Sequence, residues 1–260
     1  MNENSILRGR KALVTGASSG IGKATAERLA AEGAIVCVNY YSDREREDAG
    51  RVVEAIEAAG SKGYAVQADV GVEDDVRRMV ETADREMDGI DLLVNNAGVE
   101  KKVSLLSMDL DEWNRVLRTD LTGAFLCIRE AGSLMAERGG GVIVNISSVH
   151  EFIPWPGFAH YCASKGGLKL LMETAARELA GKGIRVVNVA PGAVATPINH
   201  AVLDDPAQVD ALEGEIPLGR LGRPDEIAAA VAWVASDQAD YMTGTTVVLD
   251  GGMSLYPRFV

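Results

Sequence analysis

Tyr161 and Lys165 stand four residues apart in the segment Tyr-Cys-Ala-Ser-Lys, at the head of an apolar-periodic stretch that runs to about residue 180. On a helix that spacing puts both side chains on one face. A phenol with an unperturbed pKa of about 10 is a poor acid-base group at neutral pH, but a neighbouring ammonium favours the phenolate and draws the value down. Such a pair can move protons. Ser148 follows Gly141-Val-Ile-Val-Asn-Ile146, an apolar run that reads as a buried strand. A hydroxyl at the C-terminal end of that strand sits where open parallel sheets place their chemistry. A Tyr and a Lys at this spacing also occur on solvated helices, so the elements around them decide between the two readings.

Those elements alternate. Apolar runs at 12–14, 34–38 and 64–66 precede helical patterns at 20–32, 43–59 and 73–87. Runs at 91–94, 141–146 and 184–189 precede helical patterns at 111–137, 161–180 and 225–235, and a last run at 245–249 closes the series. This order predicts an α/β fold with a doubly wound, Rossmann-like sheet of about seven parallel strands and helices on both faces. Gly33, Gly60, Gly89 and Gly181 stand at helix exits, where a left-handed residue ends a helix at little cost. No linker divides the chain, which reads as one domain over 1–260, with a cofactor half at about 8–140 and a catalytic and substrate half at about 141–260.

Twenty-six basic against thirty-eight acidic side chains give a net charge of −12, which disfavours nucleic acid and anionic membranes as partners. A phosphorylated ligand must then be held by local backbone amides and a few cations. Cys37, Cys127 and Cys162 are odd in number and far apart, so free thiols in a reducing compartment are expected. The first ten residues lack the apolar core of a signal peptide and no run is long enough to span a bilayer, which predicts a cytoplasmic protein. His150, His160 and His200 are the only histidines, none at chelating spacing, so no metal is expected. The helical patterns around 168–176 and 227–235 are apolar over much of their circumference, and a second subunit is the natural cover.

Lys11-Ala-Leu-Val-Thr-Gly16 is a strand ending in a turn, and Ala17-Ser-Ser-Gly20-Ile-Gly22 leads into a helix. Gly16, Gly20 and Gly22, with Ser18, Ser19 and Ile21 between them, let the backbone approach a pyrophosphate whose charge meets the helix N-terminus. Asp69 ends the third strand and Asn95-Asn-Ala-Gly98 ends the fourth, where a small Ala-Gly pair leaves room for a flat ring.

Assembled, these pieces resemble the short-chain dehydrogenase/reductase family over nearly the whole chain. The resemblance makes Thr15-Gly16 through Gly22 the cofactor loop and Asp69 with Val70 the adenine contact. It makes Asn96, Ala97 and Gly98 the cofactor lining, and Pro191, Gly192, Val194 and Thr196 the nicotinamide-side loop. It assigns Ser148 to polarising the substrate oxygen, Tyr161 to proton exchange, and Lys165 to the nicotinamide ribose and to lowering the Tyr161 pKa. One departure stands out: the family usually has Asn where this chain has Asp120, so Asp120 is a fourth member if the contact is made by its main-chain carbonyl, whereas a contact through the side chain would alter the relay pKa values and slow turnover.

The second strand ends in neutral Asn39, followed by Tyr-Tyr-Ser42-Asp43-Arg44. A carboxylate there would bind the ribose diol and repel a 2′-phosphate. Its absence leaves NADP open, with Ser42 and Arg44 able to hold the phosphate, while Asp43 could serve the diol of NAD. Use of both, with a lean to NADP, is the expectation. Asn96 to Glu100, 147–156, Thr196 to Asn199 and Tyr256 to Phe259 further resemble the bacterial glucose dehydrogenases of the family. That resemblance implies oxidation of β-D-glucose at C1 in a homotetramer, with Glu100, His150 and Asn199 joining Ser148 and Tyr161 at the sugar. Two alternatives stay open: another carbonyl substrate such as a 3-oxoacyl thioester, polyol or ketone on the same machinery, and a non-catalytic nicotinamide-binding protein.

Overall fold

The computed structural model of the chain describes residues 5–199 and 203–255. Seven strands form one parallel sheet: β1 (Lys11–Val14), β2 (Ile35–Tyr40), β3 (Gly63–Gln67), β4 (Leu92–Asn95), β5 (Gly141–Ile146), β6 (Ile184–Pro191) and β7 (Thr246–Leu249). Their order is β3-β2-β1-β4-β5-β6-β7. The chain therefore reverses its winding between β1 and β4, and a crevice opens at the carboxyl ends there.

The strands read as continuous apolar runs because both faces are covered. Alternate residues serve opposite layers. Val14, Val38, Val94 and Val144 pack with Leu29, Val52, Ile227 and Val231 on one face, while Leu13, Cys37, Leu93 and Ile143 pack with Met79, Leu126, Met135 and Met172 on the other. The helices of the first layer are α1 (Gly20–Ala31), α2 (Arg46–Ala58) and, near the end of the chain, Pro224–Ala235. Those of the second are α3 (Glu73–Met87), α4 (Leu110–Leu117), α5 (Gly123–Glu137) and α6 (Ala159–Leu179).

Three local features differ from the sequence expectation. The pattern at 111–137 is not one helix: a π turn at Arg118–Thr122 separates α4 from α5. Such a turn widens the helix by one residue and re-aims a side chain, and the residue it re-aims is Asp120. The left-handed exit after α6 belongs to Gly183, with φ of 74°, because a 3-10 turn at Ala180–Lys182 carries Gly181 inside it. A helix at Pro206–Glu215, here α7, has no counterpart in the sequence reading; its capping Asp205 accepts from the Ala207 amide, but its weakly periodic sequence presents no face to read. Pro224–Ala235 is then α8.

No described helix is long and apolar enough to cross a membrane. Cys37, Cys127 and Cys162 are unpaired, and burial pushes the thiols of Cys37 and Cys127 up to about 12. His200 and Tyr256 to Phe259 lie outside the described residues.

Candidate active site

The glycine loop is shaped by contacts that leave no room for side chains. Gly16 has φ of 60°, and a Cβ on it would come within 2.9 Å of Ala97 Cα. A Cβ on Gly22 would lie 2.4 Å from Asn96 Nδ2 and from the Gly16 carbonyl oxygen. Thr15 Oγ1 accepts from the Asn96 and Ala97 amides, and Asn96 Nδ2 donates to the carbonyls of Thr15 and Gly16. The loops after β1 and β4 are thus one cross-tied unit.

Ser19 caps α1 without a side-chain hydrogen bond, and the first turn carries no acid. By contrast α3, α4 and α8 each place acids in that turn. An N-terminus with free amides and no fixed anion suits a diphosphate, so the residues present fit a dinucleotide here. Ile21 is half-buried behind the loop. The loop after β6 closes over it: Thr196 is buried, and a Cβ on Gly20 would meet it at 3.6 Å. Pro191 ends β6, Gly192 passes so near Asp250 that a Cβ would lie 2.8 Å from Asp250 Cβ, and Val194 pairs with Gly222.

Asn39 does not present its side chain to a ligand. Its Oδ1 accepts from the Gly16 amide, and its Nδ2 faces the carbonyls of Tyr40, Val66 and Ala68. It is a buried tie between strand ends, a role invisible without the register of β2 and β3. Asp69 likewise closes a turn, its Oδ1 accepting from the Gly71 amide, and Val70 is buried against Gly123. Ser42 and Arg44 flank a 3-10 turn at Asp43–Glu45, Ser42 half-buried and Arg44 exposed. Asp43 is drawn away by Arg46, whose Nη2 lies 2.6 Å from its Oδ1.

At the other end of the crevice α6 carries Tyr161 and Lys165 one turn apart, and Ser148 follows β5. The Ser148 hydroxyl stands close enough to the Tyr161 phenol to favour its ionised form. Ser148 Oγ also accepts from the His150 amide at 3.2 Å, which caps the short turn Val149–Glu151 and orients the hydroxyl. The Lys165 ammonium lies 5.3 Å from the centroid of the Tyr161 ring. The three side chains are neighbours at this end of the crevice.

Asp120 joins them directly. The π turn points its carboxylate at Lys165, 3.4 Å from Oδ2 to Nζ, and at the Val99 amide, which donates to Oδ1 at 2.8 Å. Lys165 also donates to the Ile146 carbonyl at 3.2 Å. Its charge is therefore shared between a carboxylate and a carbonyl, not devoted to the phenol. Consistent with this, the Tyr161 pKa is raised, first by burial and then by the charges of Asp120 and Glu100, with the Ser148 hydroxyl opposing. The expectation that Lys165 draws it down is not met in the protein alone. Burial also raises the Asp120 carboxyl, opposed by Lys165.

Glu100 stands beside the same groups. Burial and the Asp120 charge push its carboxyl up to about 7, against the pull of Lys165. His150 is held neutral by burial, and its Nδ1 lies 3.2 Å from the Ile153 carbonyl, which makes Nδ1 the protonated nitrogen. Its ring stacks on Trp155 at 4.4 Å, Trp155 stacks on Phe158 at 3.6 Å, and both His150 and Trp155 meet the Tyr161 ring edge-on at 6.2 Å. The pocket thus has an aromatic wall. Asn199 ends a short turn at Pro197–Asn199. Among the described residues no cluster of His, Cys, Asp or Glu could hold a metal ion.

Beneath these groups runs a polar ladder of which the motif at Asn95 to Gly98, able to tie neighbouring strand ends, gives only the first rung. Asn95 donates to Asn145, Asn145 to Asn188 and Asn188 to Glu151, at 2.9, 2.9 and 3.1 Å. Thr246 on β7 and Ser147 complete the Glu151 carboxylate's partners. The only sequence signal was a polar residue near the end of each apolar run. Register puts the three asparagines opposite one another on β4, β5 and β6.

A family model described as enoyl-(acyl carrier protein) reductase matches residues 16–254. The chain is 48% identical over 254 residues, 97% of each chain, to 3beta-hydroxysteroid dehydrogenase 1 of Eggerthella lenta. The chain belongs to the short-chain dehydrogenase/reductase family. It is also 42% identical over 253 residues to glucose 1-dehydrogenase 2 of Bacillus subtilis, covering 96% of this chain and 97% of the other. A gluconate 5-dehydrogenase from Burkholderia cenocepacia, solved in complex with NADP and tartrate, superposes with a TM-score of 0.91 at 33% identity, over 98% of this chain and all of the other. As a member of this family the chain is an oxidoreductase of the NAD(P)-using kind.

Proposed function

We propose that this protein oxidises a carbon that bears both a hydroxyl and a hydrogen, and that its substrate is a sugar, β-D-glucose reacting at its hemiacetal carbon C1 to give gluconolactone. The observation that carries the sugar reading is Glu100, a carboxyl held at about 7 near Tyr161, Asp120 and Lys165. Such a group can donate to one hydroxyl or accept from another, and a polyol needs convergent partners of both kinds. Neutral His150, with Nδ1–H spent on Ile153, offers Nε2 as a second acceptor.

A dinucleotide held by the glycine loop would supply the hydride acceptor. Ser148 Oγ holds the substrate oxygen, and Tyr161 Oη receives the hydroxyl proton as the C–H bond breaks. Lys165 steadies the phenolate form of Tyr161 that takes this proton, and would bind the ribose. With the Tyr161 pKa raised in the protein alone, the acidifying charge would come from Lys165, 5.3 Å from the phenol ring, together with the positive ring of a bound oxidised dinucleotide. Oxidation should accordingly speed up as pH rises, since it consumes the basic form of Tyr161.

A second reading, a hydroxysteroid or other apolar alcohol on the same machinery, is favoured by the aromatic wall of His150, Trp155 and Phe158 and by exposed Phe152 nearby. A panel of glucose, other sugars, 3β-hydroxysteroids and 3-oxoacyl thioesters with NAD and NADP, followed at the nicotinamide absorbance, separates them. Turnover of glucose well above the rest supports the first reading; steroid turnover without glucose turnover overturns it. The exposed Trp233 on α8 and Leu170 on α6 support assembly into a homotetramer, which light scattering tests.

A further inference from the structure

Helix α6 begins without a side-chain cap from the residue that precedes it. Phe158 stands at the N-cap and the first turn carries no acid. The first amides of a helix have no partner within it, and one of them belongs to Tyr161. An imidazole takes that amide: Tyr161 N–H donates to His160 Nδ1 at 2.8 Å. A neutral ring that accepts at Nδ1 carries its proton on Nε2. His160 is fully buried, and its Nε2 has no hydrogen-bond partner. Glu112 Oε1 lies 3.9 Å from it, beyond hydrogen-bond reach.

We propose that His160 is a positioning residue for Tyr161 that lets go in acid: neutral, it holds the Tyr161 amide; protonated, it turns to Glu112 and releases the first turn of α6. The inference rests on the oxidoreductase reading above for the role of Tyr161. A proton on Nδ1 would oppose the Tyr161 N–H, donor against donor, and the Phe158 carbonyl beside the ring would accept it instead. Nε2–H would at the same time gain a charge-assisted partner in Glu112. That carboxylate is held below its ordinary range, because Arg115 donates to Oε1 at 2.6 Å and Lys101 to Oε2 at 3.3 Å, so it is still ionised when His160 takes its proton. The charged groups facing the ring are Glu112 and Arg115 from α4 and Lys101 from the loop after β4. Burial first, with Arg115 and Lys101, favours the neutral ring against the pull of Glu112, so release falls below the ordinary 6.5 of the side chain.

NMR of the full chain with isotope-labelled histidine rings and tyrosine amides, without substrate, tests this, His160→Asn and Tyr161→Phe assigning the two signals. His160 should be the Nε2–H tautomer at about pH 7.5 and titrate in acid, and the Tyr161 amide should shift with the same midpoint. Glu112→Gln should lower that midpoint by about half a unit or more, since it removes the charge that favours protonation. In His160→Asn, whose Oδ1 accepts without titrating, the Tyr161 amide should hold still over the same range. With glucose, or a 3β-hydroxysteroid if the second reading holds, His160→Ala should lower kcat about tenfold with KM within about twofold, and His160→Asn should recover most of it. An Nδ1–H tautomer at neutral pH, a ring that stays neutral until the chain unfolds in acid, a midpoint indifferent to Glu112→Gln, a Tyr161 amide that does not follow the ring, or an unchanged kcat in His160→Ala overturns the inference and leaves the oxidoreductase reading intact. Absence of wild-type turnover across the substrate panel overturns that reading and leaves the titration result standing. Should the His160 variants not fold, the wild-type and Glu112→Gln titrations decide alone.

Discussion

The two ends of the crevice work in different physical regimes. At the Tyr161 end most polar groups are buried and paired with one another: Asp120 with Lys165 and the Val99 amide, and the three asparagines in a row to Glu151. At the Asp43 end the charges are water-facing; the Arg46–Asp43 pair leaves 65% and 77% of its side chains exposed. Chemistry needs fixed dipoles in a dry site, where each interaction is strong and each orphan is costly. Recognition of a ribose needs only polar partners at the right place. Substitutions at the buried end should therefore damage turnover or stability outright, whereas those at the open corner should redistribute affinity.

The sharpest break in that contrast is Tyr161→Phe. Turnover should fall by about a thousandfold or more while dinucleotide binding stays within a few fold; near-normal kcat would remove the proton-transfer assignment. Next comes Asn145→Ala, which strands Asn95 Nδ2 and Asn188 Oδ1 beneath the pocket. A loss of about 2–4 kcal/mol in denaturant unfolding is expected, and an unchanged midpoint would mean the ladder is incidental.

Asp120→Asn probes how the buried charges are shared. Asp120 holds the Tyr161 pKa up and occupies Lys165, so its neutral isostere should move the rising limb of the oxidation pH profile down by about one unit. A limb that stays put or moves up contradicts this. Glu100→Gln gives the smallest effect. A carboxyl whose folded value exceeds its unfolded value penalises the folded state as it ionises. The penalty is absent below its ordinary 4.5 and complete above about 7. The variant should melt about 3 °C higher than wild type at about pH 8 and no higher at about pH 4; a gain at both would assign the effect to packing.

Much of this architecture was legible beforehand because it is written in local periods. Strands buried on both faces need unbroken apolar runs, Tyr161 and Lys165 need only one turn of α6 to share a face, and Gly16 and Gly22 mark backbone that admits no side chain. The π turn at Arg118–Thr122 was not legible, since its residues are as compatible with a continuous helix.

The sequence by itself determined the winding of the sheet, the glycine loop and the shared helix face of Tyr161 and Lys165, because helix and strand periods and the steric needs of glycine act over a few residues. Only the tertiary structure decided that Asp120 takes the Lys165 ammonium, that the Tyr161 pKa moves up, that three asparagines align across β4 to β6, and that His160 faces Glu112. Those outcomes depend on distances and burial between residues tens of positions apart, and Coulomb and hydrogen-bond energies follow such distances, not order along the chain.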